Sequence, residues 1–337
     1  MRALLPALFL LALAAPPALA EDASPNAIEN PAWFKNSFLD LREDLAEAKK
    51  SGKRLLLYFH QDGCPYCKEL IQVNFADKAI ADHTRRHFDV IALNLWGDRE
   101  VTGLDGRATT EKQFAAALKV QFTPTLLFLD EQGKPALRLN GFYPPQKFRA
   151  ALDYVSGRQE GKTAFADYLK GVSAAPSTGL LHDEPFFIQP PYLLQRNIKP
   201  AAKPLAVFFE QKRCAGCDEM HAIGLKEPET RQLLEKFEVV RLNLFGKAPL
   251  VTPEGRKLTE AEWGRALKVA YTPTLVFFDQ KGGEVFRVEA YLKTFHLQSS
   301  LDYVASGAYR TQPNFQRFIQ TRADELRAKG IEVDIWK

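Results

Sequence analysis

The chain has 337 residues, of which 26% are charged, and its formal net charge is only +4. Acidic and basic residues are interspersed and form no basic block of the kind that follows a phosphate backbone, so the sequence disfavours binding to nucleic acid. A chain of this length can bury adequate hydrophobic cores, so it does not depend on many disulfide bonds for its stability.

The N-terminus has the three parts of a secretory signal peptide. A charged start at Arg2 precedes an apolar run from Leu4 to Ala15 and small residues up to Ala20. This pattern predicts a signal peptide over residues 1–20 and export of the mature chain to the periplasm. The apolar run is shorter than the roughly 20 residues that span a bilayer, and we expect no membrane span in the mature chain. An uncleaved anchor is the alternative.

The rest of the sequence consists of two copies of one unit, related by a shift of 149 or 150 residues. Matching segments are 94–97 with 243–246, 122–130 with 271–279 and 152–155 with 301–304. Two copies predict two domains and not a solenoid. We place these domains at residues 21–172 and 173–337, with a linker rich in Gly, Ala, Ser and Pro at about 171–181.

Each unit predicts the same elements in the same order. In the first unit we expect a leading helix over 33–50, a strand over 55–59, a cysteine-bearing helix, a strand over 88–93, a polar excursion over 97–108, a helix from the capping box Thr110–Gln113 to about Val120, a buried strand after Pro124, an antiparallel strand over 136–139 and a closing helix over 145–155. The second unit repeats this order, with a less regular leading segment from Pro185 to Asn197. The order predicts an α/β fold in which each domain has a mixed β-sheet with helices on both faces.

The four cysteines of the chain form two pairs, Cys64 with Cys67 and Cys214 with Cys217, each between an apolar strand and a predicted helix. The free N–H groups at a helix start favour a thiolate on the first cysteine. A second cysteine three residues later lies about one turn away and can attack a mixed disulfide on the first. We therefore assign Cys64 and Cys214 as nucleophiles and Cys67 and Cys217 as resolving cysteines, without a cofactor. A structural disulfide or half of a metal site are the alternatives.

The strand, the Cys-x-x-Cys motif and the helix, followed about sixty residues later by Thr123-Pro124 and Thr272-Pro273, resemble the active site of thioredoxin-like proteins. The resemblance implies two tandem thioredoxin-fold domains. It also implies that both prolines follow cis peptide bonds, lie beside the cysteine pairs and contact the substrate. A cis bond costs little before proline. A trans proline at a strand edge is the alternative.

The tail of each unit, with aromatic helices at Phe165–Leu169 and Phe315–Ile319, resembles exported thioredoxin-related proteins of the SoxW type. This resemblance implies a thiol:disulfide oxidoreductase that acts on protein thiols and disulfides. It favours a reductase that receives electrons from a membrane thiol transporter. A disulfide oxidase or isomerase is the alternative.

One position departs from the thioredoxin pattern in both units. Thioredoxin usually has a buried acid six residues before its first cysteine, and that position holds Tyr58 and Phe208. His60 and Glu210, four residues before each first cysteine, are therefore candidates for proton handling. An ordinary polar residue at the end of a strand is the alternative.

The second unit differs from the first around its cysteines. The intervening dipeptides are Pro65-Tyr66 and Ala215-Gly216, which predicts different reduction potentials. In the second unit, soft sulfur and imidazole ligands suitable for Cu(I) or Zn fall near one helical face, at Cys214, Cys217, Met220 and His221. A metal-binding module is thus a further hypothesis, and its alternative is a core methionine beside a histidine at the rim of the helix.

Overall fold

The computed structural model describes residues 28–170, 172 and 176–333. The predicted signal peptide and residues 171 and 173–175 of the predicted linker lie outside the described residues. Within the described ranges, no helix is both long enough and apolar enough to cross a membrane.

The first domain alternates strands and helices. Its elements are α1 (Leu41–Lys50), β1 (Arg54–His60), α2 (Pro65–Glu69), α3 (Lys78–His87), β2 (Phe88–Asn94), β3 (Glu100–Thr102), β4 (Ala108–Thr110), α4 (Glu111–Ala117), β5 (Thr125–Leu129), β6 (Pro135–Asn140), α5 (Pro145–Ser156) and α6 (Phe165–Leu169). The second domain contains β7 (Tyr192–Leu193), β8 (Leu205–Glu210), α7 (Ala215–Ala222), α8 (Pro228–Leu234), β9 (Glu238–Asn243), β10 (Pro249–Val251), β11 (Lys257–Thr259), α9 (Glu260–Ala266), β12 (Thr274–Phe278), β13 (Glu284–Val288), α10 (Thr294–Ala305) and α11 (Phe315–Ala328).

Each domain is built on one mixed four-stranded sheet, with the order β2-β1-β5-β6 in the first and β9-β8-β12-β13 in the second. The β1–β2 and β8–β9 pairs are parallel and the other pairs are antiparallel. Alternate residues of β1 pack into two different hydrophobic clusters, so helices cover both faces of the sheet. The predicted α/β fold with two mixed sheets is therefore confirmed.

Several local predictions are confirmed as well. Thr110 and Thr259 accept the N–H groups of Gln113 and Glu262 in complete capping boxes at the starts of α4 and α9. The central strands β5 and β12 are buried at every position, as expected for apolar strands covered on both faces. Their antiparallel partners and the closing helices α5 and α10 lie where the sequence predicts them.

The leading helix of the first domain is present but starts later than predicted, and the leading helix of the second domain was predicted wrongly. In the first domain α1 begins only at Leu41, where the side chain of Asp40 caps its N-terminus, and Trp33 packs edge-on against Phe75 in the core. In the second domain the segment around Pro190-Pro191 forms no helix, and β7 pairs in parallel with β10. Two consecutive prolines cannot donate helical hydrogen bonds, which explains this difference between the copies.

The helix that starts at each cysteine pair does not run on to the next strand. In the first domain α2 continues as a π-helical turn over Leu70–Phe75, and α3 then starts from the side-chain cap of Asp77. The polar excursions are not simple loops either, because they form the hairpins β3–β4 and β10–β11. Helices α4 and α9 end three residues earlier than predicted, at Ala117 and Ala266.

The repeated segment from Asn94 to Gly97 has a structural explanation. The buried carboxylate of Glu111 accepts the backbone N–H of Asn94 at 2.9 Å, and a side chain at Gly97 would overlap that carboxylate. Glu260 accepts the N–H of Asn243 at the same distance in the second domain. The match between residues 94–97 and 243–246 therefore reflects a contact that both folds need.

The domains pack against each other through equivalent faces. Gly141 lies against Ala290, its counterpart in the repeat, and an added Cβ on Gly141 would lie 2.9 Å from the Ala290 Cβ. Tyr271, the residue before Thr272-Pro273, packs into the first domain with its ring 4.2 Å from that of Tyr143. Its counterpart Phe122 packs into the core of the second domain. The contact is thus an approximate twofold arrangement of the two copies.

We predict that Gly141→Ala destabilises the protein more than Gly307→Ala does, because it also disturbs the contact between the domains. Gly141 and Gly307 both have a left-handed φ, of 86° and 74°, but only Gly141 faces another domain. Gly307→Ala should cost about 1 kcal/mol, and Gly141→Ala should cost more because Ala290 has to move. Calorimetry of the full chain should show earlier and less cooperative unfolding for Gly141→Ala. Equal effects of the two substitutions would contradict this interface.

Candidate active sites

The first cysteine pair lies where β1 meets α2. Cys64 is the N-cap of α2, and its Sγ accepts the backbone N–H of Cys67 at 3.0 Å. The two residues form a disulfide with Cα atoms 5.2 Å apart. When the pair is reduced, the same N–H and the helix dipole favour a thiolate on Cys64. The geometry therefore matches a nucleophile at Cys64 and a resolving cysteine at Cys67.

The second pair has the same local geometry. Cys214 is the N-cap of α7, and its Sγ accepts the N–H of Cys217 at 3.1 Å. These residues also form a disulfide, with a Cα–Cα distance of 5.2 Å. Both pairs are buried, and the exposed fraction of Cys214 is 1%.

The predicted Thr-Pro segments lie beside the cysteine pairs. The Thr123–Pro124 and Thr272–Pro273 peptide bonds are cis in the structure. The carbonyl oxygen of Thr123 lies 3.3 Å from Cys64 Sγ. In the second domain, a Cβ added to Gly216 would lie 3.2 Å from Pro273 Cδ. The structure thus brings each Thr-Pro segment together with its own Cys-x-x-Cys motif.

Packing explains why the two dipeptides differ, and the tyrosine of the first dipeptide lies in the contact between the domains. Tyr66 reaches the second domain, where its hydroxyl accepts the backbone N–H of Lys293 at 3.0 Å and its ring contacts that of His296 edge-on. At the equivalent position Gly216, a Cβ would lie 3.1 Å from the Tyr291 Cβ. One copy therefore extends a tyrosine across the interface, whereas the glycine of the other leaves room for Tyr291 of its own domain. Sequence comparison of the two motifs identifies the difference but not this cause.

His60 is the last residue of β1 and is buried, with an exposed fraction of 8%. Its ring stacks on that of Tyr58 with centroids 5.2 Å apart, and its Nδ1 has no hydrogen-bond partner among the described residues. Burial lowers the pKa of His60. The imidazole is therefore held neutral close to the first cysteine pair and can accept a proton only at some cost.

Glu210 belongs to a buried ionic group in the second domain, which we call the Glu–His–Glu group. His221 Nε2 lies 2.9 Å from Glu210 Oε1, and its Nδ1 lies 3.1 Å from Glu184 Oε1. Glu210 is fully buried, and Lys226 contacts Glu184 at 3.0 Å from the outside. Burial alone would lower the pKa of His221, but hydrogen bonds and charges from Glu210 and Glu184 raise it.

The Glu–His–Glu group is one helical turn from the second cysteine pair, because His221 follows Cys217 by four residues in α7. The first domain has no equivalent, since Ile71 replaces His221 and Pro31 replaces Glu184. The Phe34 N–H donates to the Pro31 carbonyl as the Phe187 N–H donates to that of Glu184. Sequence reasoning singled out Glu210 and His221 separately but missed Glu184, which comes from the irregular leading segment. Only the fold places these three side chains together.

The four candidate metal ligands of the second domain have other partners. Met220 packs in the hydrophobic core, and the sulfur atoms of Cys214 and Cys217 are joined in a disulfide. His221 is buried between two carboxylates and is not at the helix rim. Among the described residues, no group of three or more His, Cys, Asp and Glu side chains is arranged to hold a metal ion.

The first cysteine pair is covered by the second domain. A cavity of only about 30 Å³ lies beside Cys64, and Tyr291, His296 and Gln316 of the second domain form part of its wall. Gln316 of α11 also accepts a hydrogen bond from the Gln61 amide at 2.9 Å. The first reactive sulfur is therefore shielded from solvent in this arrangement.

Comparison with known sequences agrees with this geometry. A thioredoxin-like domain profile matches residues 41–156 and 194–305, which together make up more than half of the chain. The chain therefore belongs to the thioredoxin-like family, with two copies of the domain.

The curated relatives include two thiol:disulfide interchange proteins DsbD. The protein from Pectobacterium atrosepticum is 33% identical over 121 residues, which are 35% of this chain and 18% of the relative. The protein from Photorhabdus laumondii is 28% identical over 122 residues, or 36% of this chain and 19% of the relative. The chain thus spans less than a fifth of the length of either relative.

Among solved structures, this chain is similar to a thioredoxin-fold protein from Helicobacter pylori, with 26% sequence identity and a TM-score of 0.30. The match covers 33% of this chain and 74% of that chain.

We predict that His221 is protonated in the folded protein at pH values where a free histidine is neutral. Its raised folded pKa means that its stabilising contribution is complete below pH about 6.5 and is lost as pH rises through the folded pKa. Removing the buried cation by His221→Gln should cost about 3 kcal/mol at pH 6 and less at higher pH. Denaturant unfolding of the oxidised protein at a series of pH values measures this difference.

NMR titration of the histidine rings provides a direct check. Glu210→Gln should lower the titration midpoint of His221, because it removes one of the two carboxylates. His296 is the matched control, since burial lowers its pKa to about 4 and its ring stays neutral over the same range. A His221 midpoint below 6.5 in the wild-type protein would contradict the Glu–His–Glu group.

Proposed function

We propose that the chain is an exported thiol:disulfide oxidoreductase that reduces protein disulfides through both Cys-x-x-Cys sites. The observation that carries the proposal is the hydrogen bond from the second cysteine's N–H to the first cysteine's Sγ, at 3.0 Å in one domain and 3.1 Å in the other. A purely structural disulfide across two intervening residues would restrict the unfolded chain little. In the reduced protein, this N–H···Sγ hydrogen bond would stabilise the attacking thiolate of the first cysteine.

The reaction uses only cysteine sulfur atoms. In the reduced protein, the Cys64 or Cys214 thiolate attacks a substrate disulfide, a mixed disulfide forms, and one substrate thiolate leaves. Cys67 or Cys217 then attacks the protein sulfur of that mixed disulfide and releases the second substrate thiolate. The substrate gains two electrons and two protons, and the cysteine pair ends as the disulfide observed in the structure. A dithiol donor returns the pair to its reduced state.

The direction of electron flow and the partners belong to this proposal. The tails of the two units resemble exported SoxW-type proteins, and the DsbD relatives are named as thiol:disulfide interchange proteins. The first resemblance favours a reductase that is reduced in turn by a membrane thiol transporter, and the relatives' name favours thiol–disulfide exchange in general. Export to the periplasm rests on the signal-peptide pattern of residues 1–20.

The burial of both pairs adds a requirement for large substrates. Because Tyr291, His296 and Gln316 help to enclose Cys64, a folded protein can approach this sulfur only after the second domain moves away. The linker at about 171–181 connects the domains without an interposed helix or strand in its described part. We therefore include opening of the domain interface in the proposed reaction cycle.

A disulfide oxidase or isomerase is the competing function. It is favoured by one observation, namely that the two cysteine-bearing faces meet in a single interface, as in a protein with two sites directed at one substrate. The reduction potentials of the two pairs separate these functions. Values near the −120 mV or so of a strong oxidant, without insulin reduction, would contradict a reductase.

We predict that the two sites reduce insulin independently. Cys64→Ser and Cys214→Ser should each leave a partial rate, because the other nucleophile is intact, and the double variant should fall to the background rate. The measurement is insulin reduction by the full mature chain with dithiothreitol as electron donor. Complete loss of activity in one single variant would contradict independent sites and would indicate a relay or an inert domain.

A further inference from the structure

A cavity of about 790 Å³ lies between the domains, next to the second cysteine pair. Its wall includes Gln211–Arg213, directly before Cys214, and Ala270–Thr272, directly before Pro273. The first domain contributes Lys147 from α5 and the end of α6. This volume suits a ligand of the size of a short peptide. We call it the basic cavity because of the charges described next.

The charged residues that line the basic cavity are all cationic. They are Lys147, Lys170, Lys212 and Arg213, and none of its described lining residues is Asp or Glu. Lys170 is paired with Asp167 at 2.6 Å. The other three form no ion pair with any residue in the described part of the chain. Three uncompensated cations therefore surround one cavity.

Lys147 is the most enclosed of the three. Its Nζ lies over the ring of Tyr271, 4.4 Å from the centroid, and burial lowers its pKa to about 8. A half-buried ammonium group without a carboxylate partner would be stabilised by a bound anion.

Arg213 occupies an unfavourable backbone position. Its φ is 58°, in the left-handed region that favours glycine, and its counterpart in the first domain is Gly63 with a φ of 70°. The second domain thus has a charged side chain at a site where the first has glycine. Strained non-glycine residues of this kind are concentrated at functional sites.

The corresponding region of the first domain is filled and lacks these cations. Its loop before Cys64 reads Gln61-Asp62-Gly63. There α11 occupies the groove, since Gln316 donates to the Gln121 carbonyl at 3.0 Å and the Phe315 N–H donates to the Gln121 side chain at 3.1 Å. The shorter helix α6 ends at Leu169 and leaves the basic cavity open in the second domain. Any selectivity for anions therefore belongs to the Cys214 site.

We propose that the basic cavity binds peptide-sized disulfides that carry carboxylates and positions them for reduction at Cys214. This inference rests on the proposed function and names its substrate class. The reduced Cys214 thiolate attacks one ligand sulfur and expels the other half as a thiolate. Cys217 then closes the Cys214–Cys217 disulfide and releases the second half. The Cys217 proton and one proton from solvent pass to the two thiolates released.

The test uses the full chain with Cys64→Ser and Cys67→Ser, so that only the second pair reacts. The pair is reduced with dithiothreitol, the reductant is removed, and oxidation is followed with three probes of different charge. These are oxidised glutathione, which is anionic, hydroxyethyl disulfide, which is neutral, and cystamine, which is cationic. The quantity compared is the ratio of the rate constants for oxidised glutathione and hydroxyethyl disulfide.

Arg213→Gly is the main variant, because glycine suits the left-handed backbone and removes one charge without added strain. It should lower the ratio about threefold, and the combination with Lys147→Gln should lower it about tenfold. Lys281→Gln is the control, since it removes an exposed lysine in a distant turn of the same domain and should leave the ratio unchanged. The wild-type preference should decrease as salt is added.

The outcomes separate the two proposals. An unchanged ratio in the combined variant, or equal rates with oxidised glutathione and cystamine in the parent protein, would overturn the anion site. In either case, reaction with hydroxyethyl disulfide would still support the proposed oxidoreductase. Failure of the reduced pair to react with any of the three disulfides would overturn the proposed function at the second site.

Discussion

The contact between the domains covers the first cysteine pair and buries the residues that precede both Thr-Pro segments. Phe122 packs into the core of the second domain and Tyr271 into that of the first, so each domain completes a hydrophobic surface of the other. The same contact accounts for Tyr66, which crosses the interface, whereas Gly216 leaves space for Tyr291 within the second domain. Differences that look like redox tuning in the sequence therefore also have a packing cause. Access to the reactive sulfur atoms depends on the strength of this contact.

The two copies share a scaffold but differ in the electrostatics around their cysteines. The first has His60, which burial keeps neutral, and a small uncharged cavity beside Cys64. The second has the buried Glu–His–Glu group and the basic cavity. Buried charges near a thiolate alter its free energy much more than the same charges in water do. We therefore interpret the duplication as one fold with two chemically distinct sites.

Much of the scaffold could be predicted because its signals are local. The capping box at Thr110 and the apolar strand after Pro124 depend on neighbouring residues, and both lie where the sequence predicts them. The leading helix of the first domain was predicted to start too early, because Trp33 and Phe34 pack against the core from a segment that is not helical. The pairing of His221 with Glu184 could not be predicted, since it joins residues 37 positions apart through the tertiary fold. For the same reason the sequence does not indicate that the second domain covers the first cysteine pair.

The central claim is that the N-capping cysteines, Cys64 and Cys214, are the attacking sulfur atoms. Trapping the mixed disulfide tests it most directly, with one variant in which Cys67 and Cys217 are serine and another in which Cys64 and Cys214 are serine. Intact-mass measurement after brief exposure to hydroxyethyl disulfide should show two adducts on the first variant well before any appear on the second. Equal rates of adduct formation, or faster reaction of Cys67 and Cys217, would contradict the assignment.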